Sequence, residues 1–195
     1  MKKLIIMLAI FVPIGFAAEK EDEPIKTIIK IGYQSLSDSL GGADLDGSGL
    51  SVSLENLISE DSFASFYAAI SRLSYDASAN GLSVDIGDAD TVGFGLKYNF
   101  AHGDITDYSA GLKKGMVYAR LGWERADLSA SSTLQSLAAG AGAPLGATSA
   151  SESGMLIGLG YEKLFESLGA FIEWKRHDED ALDDDSITIG AFFKF

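Results

Sequence analysis

The sequence contains no cysteine. That excludes a disulfide framework, a thiolate metal site and lipid attachment at a processed N-terminal cysteine. Proline is scarce, with 3 in 195 residues, whereas glycine reaches 22. Such a balance suits strands that need every ladder donor and pack closely. Positive charge is also short: 15 Lys and Arg stand against 28 Asp and Glu, a formal net charge of −13. A chain so acidic lacks the basic face that nucleic-acid binding requires. Histidine occurs only at positions 102 and 177. After the first 17 residues no apolar run approaches the roughly 20 residues of a spanning helix. If this chain crosses a membrane, it must do so with strands.

The first residues read Met-Lys-Lys, then an apolar run from Leu4 to Phe16, then Ala17-Ala18-Glu19. A basic start, a short greasy core and small residues at the cut describe a secretory signal peptide over residues 1–17. Gly15 and Ala17 fit the small-x-small rule, which sets cleavage after Ala17. Residues 18–25 are charged and read as a short periplasmic leader. The length of the remainder, 26–195, suits one domain.

That remainder alternates. In Ser186–Phe195 one set of positions is Ile187, Ile189, Ala191, Phe193 and Phe195, and the other is mostly small or polar. A period of two marks a strand with unlike faces. Similar stretches run over Lys26–Gln34, Leu50–Asn56, Phe63–Tyr75, Thr91–Phe100, Gly115–Arg125, Gly154–Glu162 and Leu168–Arg176. The stretch over 63–75 is the least regular. Tyr67, Ala69, Leu73 and Tyr75 suggest its apolar face, with Ala68, Ile70, Arg72 and Ser74 opposite. Ser71 and Phe66 fall on the wrong sides, and a bulge would reconcile them. Segments 35–49, 76–90, 101–114, 127–152 and 177–185 read as polar connections. Helical spacing is not sustained anywhere in the mature chain. The expected fold is all-β: an eight-stranded antiparallel up-and-down transmembrane β-barrel.

Two closed barrels compete, because an apolar face can point inward around a ligand, as in a secreted lipocalin-like carrier, or outward to lipid. Aromatics favour the second. Tyr33, Tyr75, Trp123 and Trp174 fall near the ends of strands that run one way. Tyr98, Phe100, Tyr161, Phe193 and Phe195 fall near the ends of strands that run the other way. Two aromatic girdles at two interfaces fit a membrane barrel. Charge favours it too. The opposite faces carry Lys30, Arg72, Lys97, Arg120 and Lys175 against Glu55, Glu124, Glu162 and Glu173. Near-balance in so acidic a chain suits a narrow lumen, where an unpaired charge is costly. Eight strands leave an interior that side chains can fill, so a general diffusion pore is not expected. A narrow gated channel stays open as an alternative.

The signal peptide, the eight alternating strands and the terminal Phe193-Lys194-Phe195 resemble the small Gram-negative outer-membrane barrels of the OmpA-like and OmpX-like family. The resemblance covers the mature chain and rests on pattern. It implies residence in the cell outer membrane and contact with outer-membrane lipid and lipopolysaccharide. It also implies a monomer and assembly through the barrel-assembly machinery, whose signal would map onto Phe195, Phe193 and Ile189. Function would then be structural, or surface interaction through loops 36–49, 76–90 and 127–152, with an unidentified extracellular partner.

Chemistry is sparse. Some outer-membrane deacylases carry Ser two residues after His, but Asp104 and Glu179 stand there. No catalytic residue, cofactor or metal is therefore expected, and a lipid-modifying enzyme is disfavoured. Asp44-Leu45-Asp46-Gly47-Ser48-Gly49 lacks the distal Glu of an EF-hand loop. The acidic run 178–185 could hold divalent ions, although a solvated acidic loop explains it more simply.

Overall fold

The computed structural model describes residues 26–40, 43–58, 63–100, 105, 107–140, 149–178 and 185–195. The expected signal peptide, the leader, His102 and residues 179–184 lie outside the described residues. Eight antiparallel strands close a ring in sequence order: β1 (Thr27–Leu40), β2 (Ala43–Leu57), β3 (Ala64–Ala79), β4 (Leu82–Phe100), β5 (Met116–Ala130), β6 (Ser149–Phe165), β7 (Leu168–Asp178) and β8 (Asp185–Lys194). β1 pairs with β8, with Ile31 facing Ala191 and Tyr33 facing Ile189. The last residue is tied into this seam, because Phe195 N–H donates to Thr27 C=O at 2.8 Å and Phe195 C=O accepts from Thr27 N–H at 3.0 Å. Among the described residues the ring is closed between every pair of neighbouring strands, as lipid demands.

The register fixes the barrel's girth. A path from Leu36 through Ser186, Lys175, Gly158, Arg120, Lys97, Ser65 and Leu57 returns to β1 at Lys26, where Leu57 N–H donates to Lys26 C=O. The return point lies ten residues from the start. Eight strands at this stagger enclose a bore that side chains fill.

The outward positions form an apolar band. Ile31, Leu50, Phe94, Leu121, Ile157, Ile172 and Ile189 are all exposed large hydrophobics. A contiguous exposed surface of this kind, encircling the ring, is a membrane face. The strands outrun it. β4 has 19 residues and β6 has 17, against about 9–11 for a tilted span. The excess stands at one end as long hairpins. Segments expected as loops at 35–49 and 76–90 are therefore strand arms, joined in the second case by a turn at Asn80–Gly81. Both turn residues take positive φ, 53° and 80°, the conformation for which Asn-Gly suits a tight hairpin. Ser and Asp misled because the arms lie beyond the lipid, where an outward face has no reason to be apolar.

β3 corrects the sequence reading most. Tyr67, Leu73 and Tyr75 point inward, while Phe66 points out with 59% exposure. The facing is the reverse of the expected one over the whole strand. The register holds without interruption from Ala64 to Tyr75, and the irregularity falls between Tyr75 and Asp76. Phe66, Ala68 and Ile70 supply the apolar wall, and Arg72 and Ser74 continue it into the polar arm.

Two helices also depart from expectation. α1 (Tyr108–Lys114) lies within the connection 101–114. Asp107 caps it by accepting from Ser109 N–H at 2.7 Å, and Gly115 ends it at φ 98°. Such caps satisfy the end groups that a short helix leaves free. α2 (Ser132–Gly140) lies in the segment 127–152 at the long-hairpin end.

Candidate functional site: a charged lumen between two apolar layers

Successive inward residues of β1 enter successive layers of the bore. Ile28 belongs to an apolar cluster at the short-turn end, with Tyr108 and Leu112 of α1, Met116, Leu164, Phe171 and Phe192. Leu112 is fully buried there, so α1 plugs the barrel. Lys30 comes next, in a charged layer. Gln34 follows, accepting from Lys175 Nζ at 3.0 Å and donating to Ser186 Oγ at 3.2 Å. Leu36 joins a second apolar cluster with Leu45, Leu73, Tyr75 and Ala89.

The charged layer is a closed square of alternating sign. Lys30 Nζ lies 3.0 Å from Glu55 Oε1 and 2.6 Å from Glu162 Oε2. Lys97 Nζ lies 2.6 Å from Glu55 Oε2 and 2.8 Å from Glu162 Oε1. Arg120 extends it, with Nη2 at 2.7 Å from Glu55 and Nη1 at 3.1 Å from Glu173. Three cations meet three carboxylates, so the cluster is neutral. Neutral donors complete it. Tyr118 Oη donates to Glu173 at 2.6 Å, and Asn99 Nδ2 and Tyr108 Oη donate to Glu162. Tyr108 belongs to α1, so the plug is bonded to the charges it covers.

Aromatic faces take up the remaining positive surface. Lys30 and Lys97 lie 4.4 and 4.6 Å from the Tyr118 ring centre, and Arg120 lies 4.1 Å from that of Tyr67. Dense pairing of this kind is what makes buried charge tolerable. The Tyr118 ring needs a gap in the neighbouring strand. Gly160 provides it, because a Cβ there would stand 2.3 Å from the ring. Replacing Gly160 with Val should cost about 1–3 kcal/mol by overpacking, read as a lower urea midpoint for the barrel in lipid vesicles.

Of the nine charges expected in the lumen, Lys30, Glu55, Lys97, Arg120, Glu162 and Glu173 converge on this cluster. Glu124 and Lys175 are buried in the bore but apart from it. Glu124 lies 3.6 Å from His177 Nε2, and Lys175 bonds Gln34. Arg72 is a correction. It points outward from β3 with its side chain 53% exposed, and Nη2 pairs with Asp88 at 2.6 Å. Without it the eight remaining expected charges balance at four against four. Asn99 and Gln34 stood on the polar faces of their strands, so alternation could have found them. Tyr108 gave no such signal.

The Arg72 pair is on the surface, and Arg72→Ala should change unfolding free energy by less than about 1 kcal/mol. Its pH dependence has a sign. The hydrogen bond from Arg72, then that from Ser74, holds the Asp88 carboxyl below its ordinary value. Its contribution is therefore complete above the unfolded carboxyl range, about pH 4. It is lost as pH falls through the depressed folded value. Amide protection in the β3–β4 arm should fall in that acid window, and Arg72→Ala should shrink the pH step to the part that Ser74 sustains.

Tyr33, Tyr98, Phe100, Trp123, Tyr161 and Phe193 are exposed on the outer wall, and Trp174 and Phe195 are half-buried. Tyr75 is the second correction. It is inward and only 6% exposed, part of the outer apolar cluster. Its ring counted toward a girdle only because the facing of β3 was inverted. Phe66 and Phe165 face outward in addition.

No protein-family model and no curated protein matches the sequence. Solved structures do. Ail, the attachment invasion locus protein of Yersinia pestis, solved in complex with the heparin analogue sucrose octasulfate, aligns at a TM-score of 0.57 and 15% identity, over 89% of this chain and 100% of that one. The outer membrane protein OprG of Pseudomonas aeruginosa aligns at a TM-score of 0.53 and 14% identity, over 91% of this chain and 99% of that one. The chain has the fold of the small outer-membrane β-barrels. At these identities the likeness is one of fold. It joins the closed ring and the lipid-facing band as the third mark of an outer-membrane protein.

Proposed function

We propose that this barrel is a sealed, non-enzymatic integral protein of the Gram-negative outer membrane that acts through its long hairpins at the cell surface. The observation that carries this reading is the neutral ion cluster held between two apolar layers. An ion entering the bore would have to leave water, cross an apolar plug and break paired charges. A planar bilayer holding the purified protein should therefore show no steps above the baseline of bilayers without protein. Regular unitary conductance would favour the narrow-channel alternative and overturn the sealed reading.

The arms give the surface a sign. On β2 to β5 they carry Asp44, Asp46, Asp76, Asp85, Asp88, Asp90 and Asp127 against Arg72 and Arg125. The heparin analogue bound by Ail is a polyanion, and this surface would repel one. An extracellular partner of neutral or cationic surface fits better. Direct contact with lipopolysaccharide would fall to the apolar band and its outward aromatics. In this reading the protein works as a monomer, and β8 with Phe193, Ile189 and Phe195 is the strand recognised during assembly. Deleting Phe195 should then lower the yield of folded barrel in cells more than deleting any single arm residue. Equal yields would count against that role.

A further inference from the structure

At the long-hairpin end the bore opens into a cavity of about 280 Å³, with Leu45, Tyr75, Ile86, Leu128 and Ala150 on its barrel walls and Leu134 of α2 above. The size is at the lower limit for a ligand pocket. At about 30 Å³ for a small group, it has room for roughly nine non-hydrogen atoms. Leu128 faces Ala150 across β5 and β6, and the next inward rung toward the membrane is Ala126 with Glu152. Glu152 Oε2 is buried and has no hydrogen-bond partner among the described residues. A carboxylate oxygen in that state is costly unless something completes it. Glu152 stands one inward rung below the lining residue Ala150, and Asp88, the carboxylate in the wall itself, is already satisfied by Arg72 and Ser74.

We propose that this cavity binds a small cationic amphiphile, its apolar body among Leu45, Tyr75, Ile86 and Leu128 and its ammonium group toward Glu152. The lining excludes a strongly polar body, and the acidic arms around the mouth repel an anionic head. A neutral apolar molecule would fill the space but leave Glu152 unpartnered. The site is independent of whether the bore conducts, so failure here and failure of the sealed-lumen reading are separate results.

The test is calorimetric titration of the full chain in phosphatidylcholine nanodiscs, with empty discs as the blank. Three compounds share one aromatic body small enough for the cavity: benzylamine, benzyl alcohol and benzoic acid. The amine should bind at least tenfold more tightly than the acid and more tightly than the alcohol. Glu152→Gln should abolish the preference for amine over alcohol while leaving alcohol binding in place. Ala150→Trp should remove binding of all three, with heat-modifiable gel mobility confirming a folded barrel. If that variant does not fold, Leu134→Trp fills the space from the helix side and should have the same effect. Amine uptake no greater than in empty discs, tighter binding of the acid, an unchanged preference in Glu152→Gln, or full binding in a folded cavity-filling variant would each overturn the proposal.

Discussion

Glu162→Ala should be among the most damaging single substitutions in this barrel, costing about 3–5 kcal/mol of unfolding free energy. Glu162 carries half of the charged square. Lys30, Lys97, Asn99 and Tyr108 all point at it. Its removal leaves two ammonium groups with one full carboxylate between them, at positions with almost no access to water. The cost then comes from uncompensated burial rather than from loss of a favourable bond. Glu162→Gln keeps the shape and the acceptor from Tyr108 but not the charge, and should recover only part of the loss. A combined Lys97→Met, Glu162→Leu change removes one charge of each sign and should be less harmful than Glu162→Ala. Urea unfolding in lipid vesicles measures all three. If Glu162→Ala falls within 1 kcal/mol of the parent protein, by the usual scale for exposed pairs, the square does not hold the bore together.

The second large effect belongs to α1. Leu112→Ala should cost about 2–5 kcal/mol, the range for emptying a well-packed apolar site. Leu112 is completely buried against Ile28, Phe171, Phe192 and their neighbours. The helix has seven residues, too short to persist without such packing. Loosening it would also weaken the hydrogen bond from Tyr108 to Glu162. The measurable consequence is faster amide exchange in residues 108–114, alongside the drop in stability. A stable variant with unchanged exchange would show that α1 is held by its caps instead.

These two predictions differ in how visible their residues were beforehand. The charges on β1, β2, β4, β5, β6 and β7 were legible because alternation alone decides which side a residue faces. It placed Lys30, Glu55, Lys97, Arg120, Glu162 and Glu173 inward, and the ring brought them together. β3 defeated the same reasoning. Tyr67, Leu73 and Tyr75 look like a lipid face, but they pack against Arg120 and the outer apolar layer inside the bore. Phe66, Ala68 and Ile70 are a weaker apolar set that faces lipid. A strand with apolar residues on both sides carries no facing signal of its own, and only its neighbours' register settles it. The arms were hidden for a related reason. Once a strand leaves the bilayer, its outer face can be Ser or Asp, and its composition becomes that of a loop. α1 was invisible because its buried positions are Tyr108, Gly111 and Leu112, and with Gly111 carrying no side chain the two large residues are too few to show a period.

The charged square has an electrical consequence. Two positive and two negative corners at alternate positions form a quadrupole, with no net charge and little net dipole from the square itself. Its potential dies away over a short distance along the bore, leaving the Arg120–Glu173 pair as the cluster's main directional field. An ion at the barrel mouth would therefore sense the arms' carboxylates far more than the charges within. The protein can keep a densely ionised centre and still present the outside with an electrostatic face set almost wholly by its hairpins.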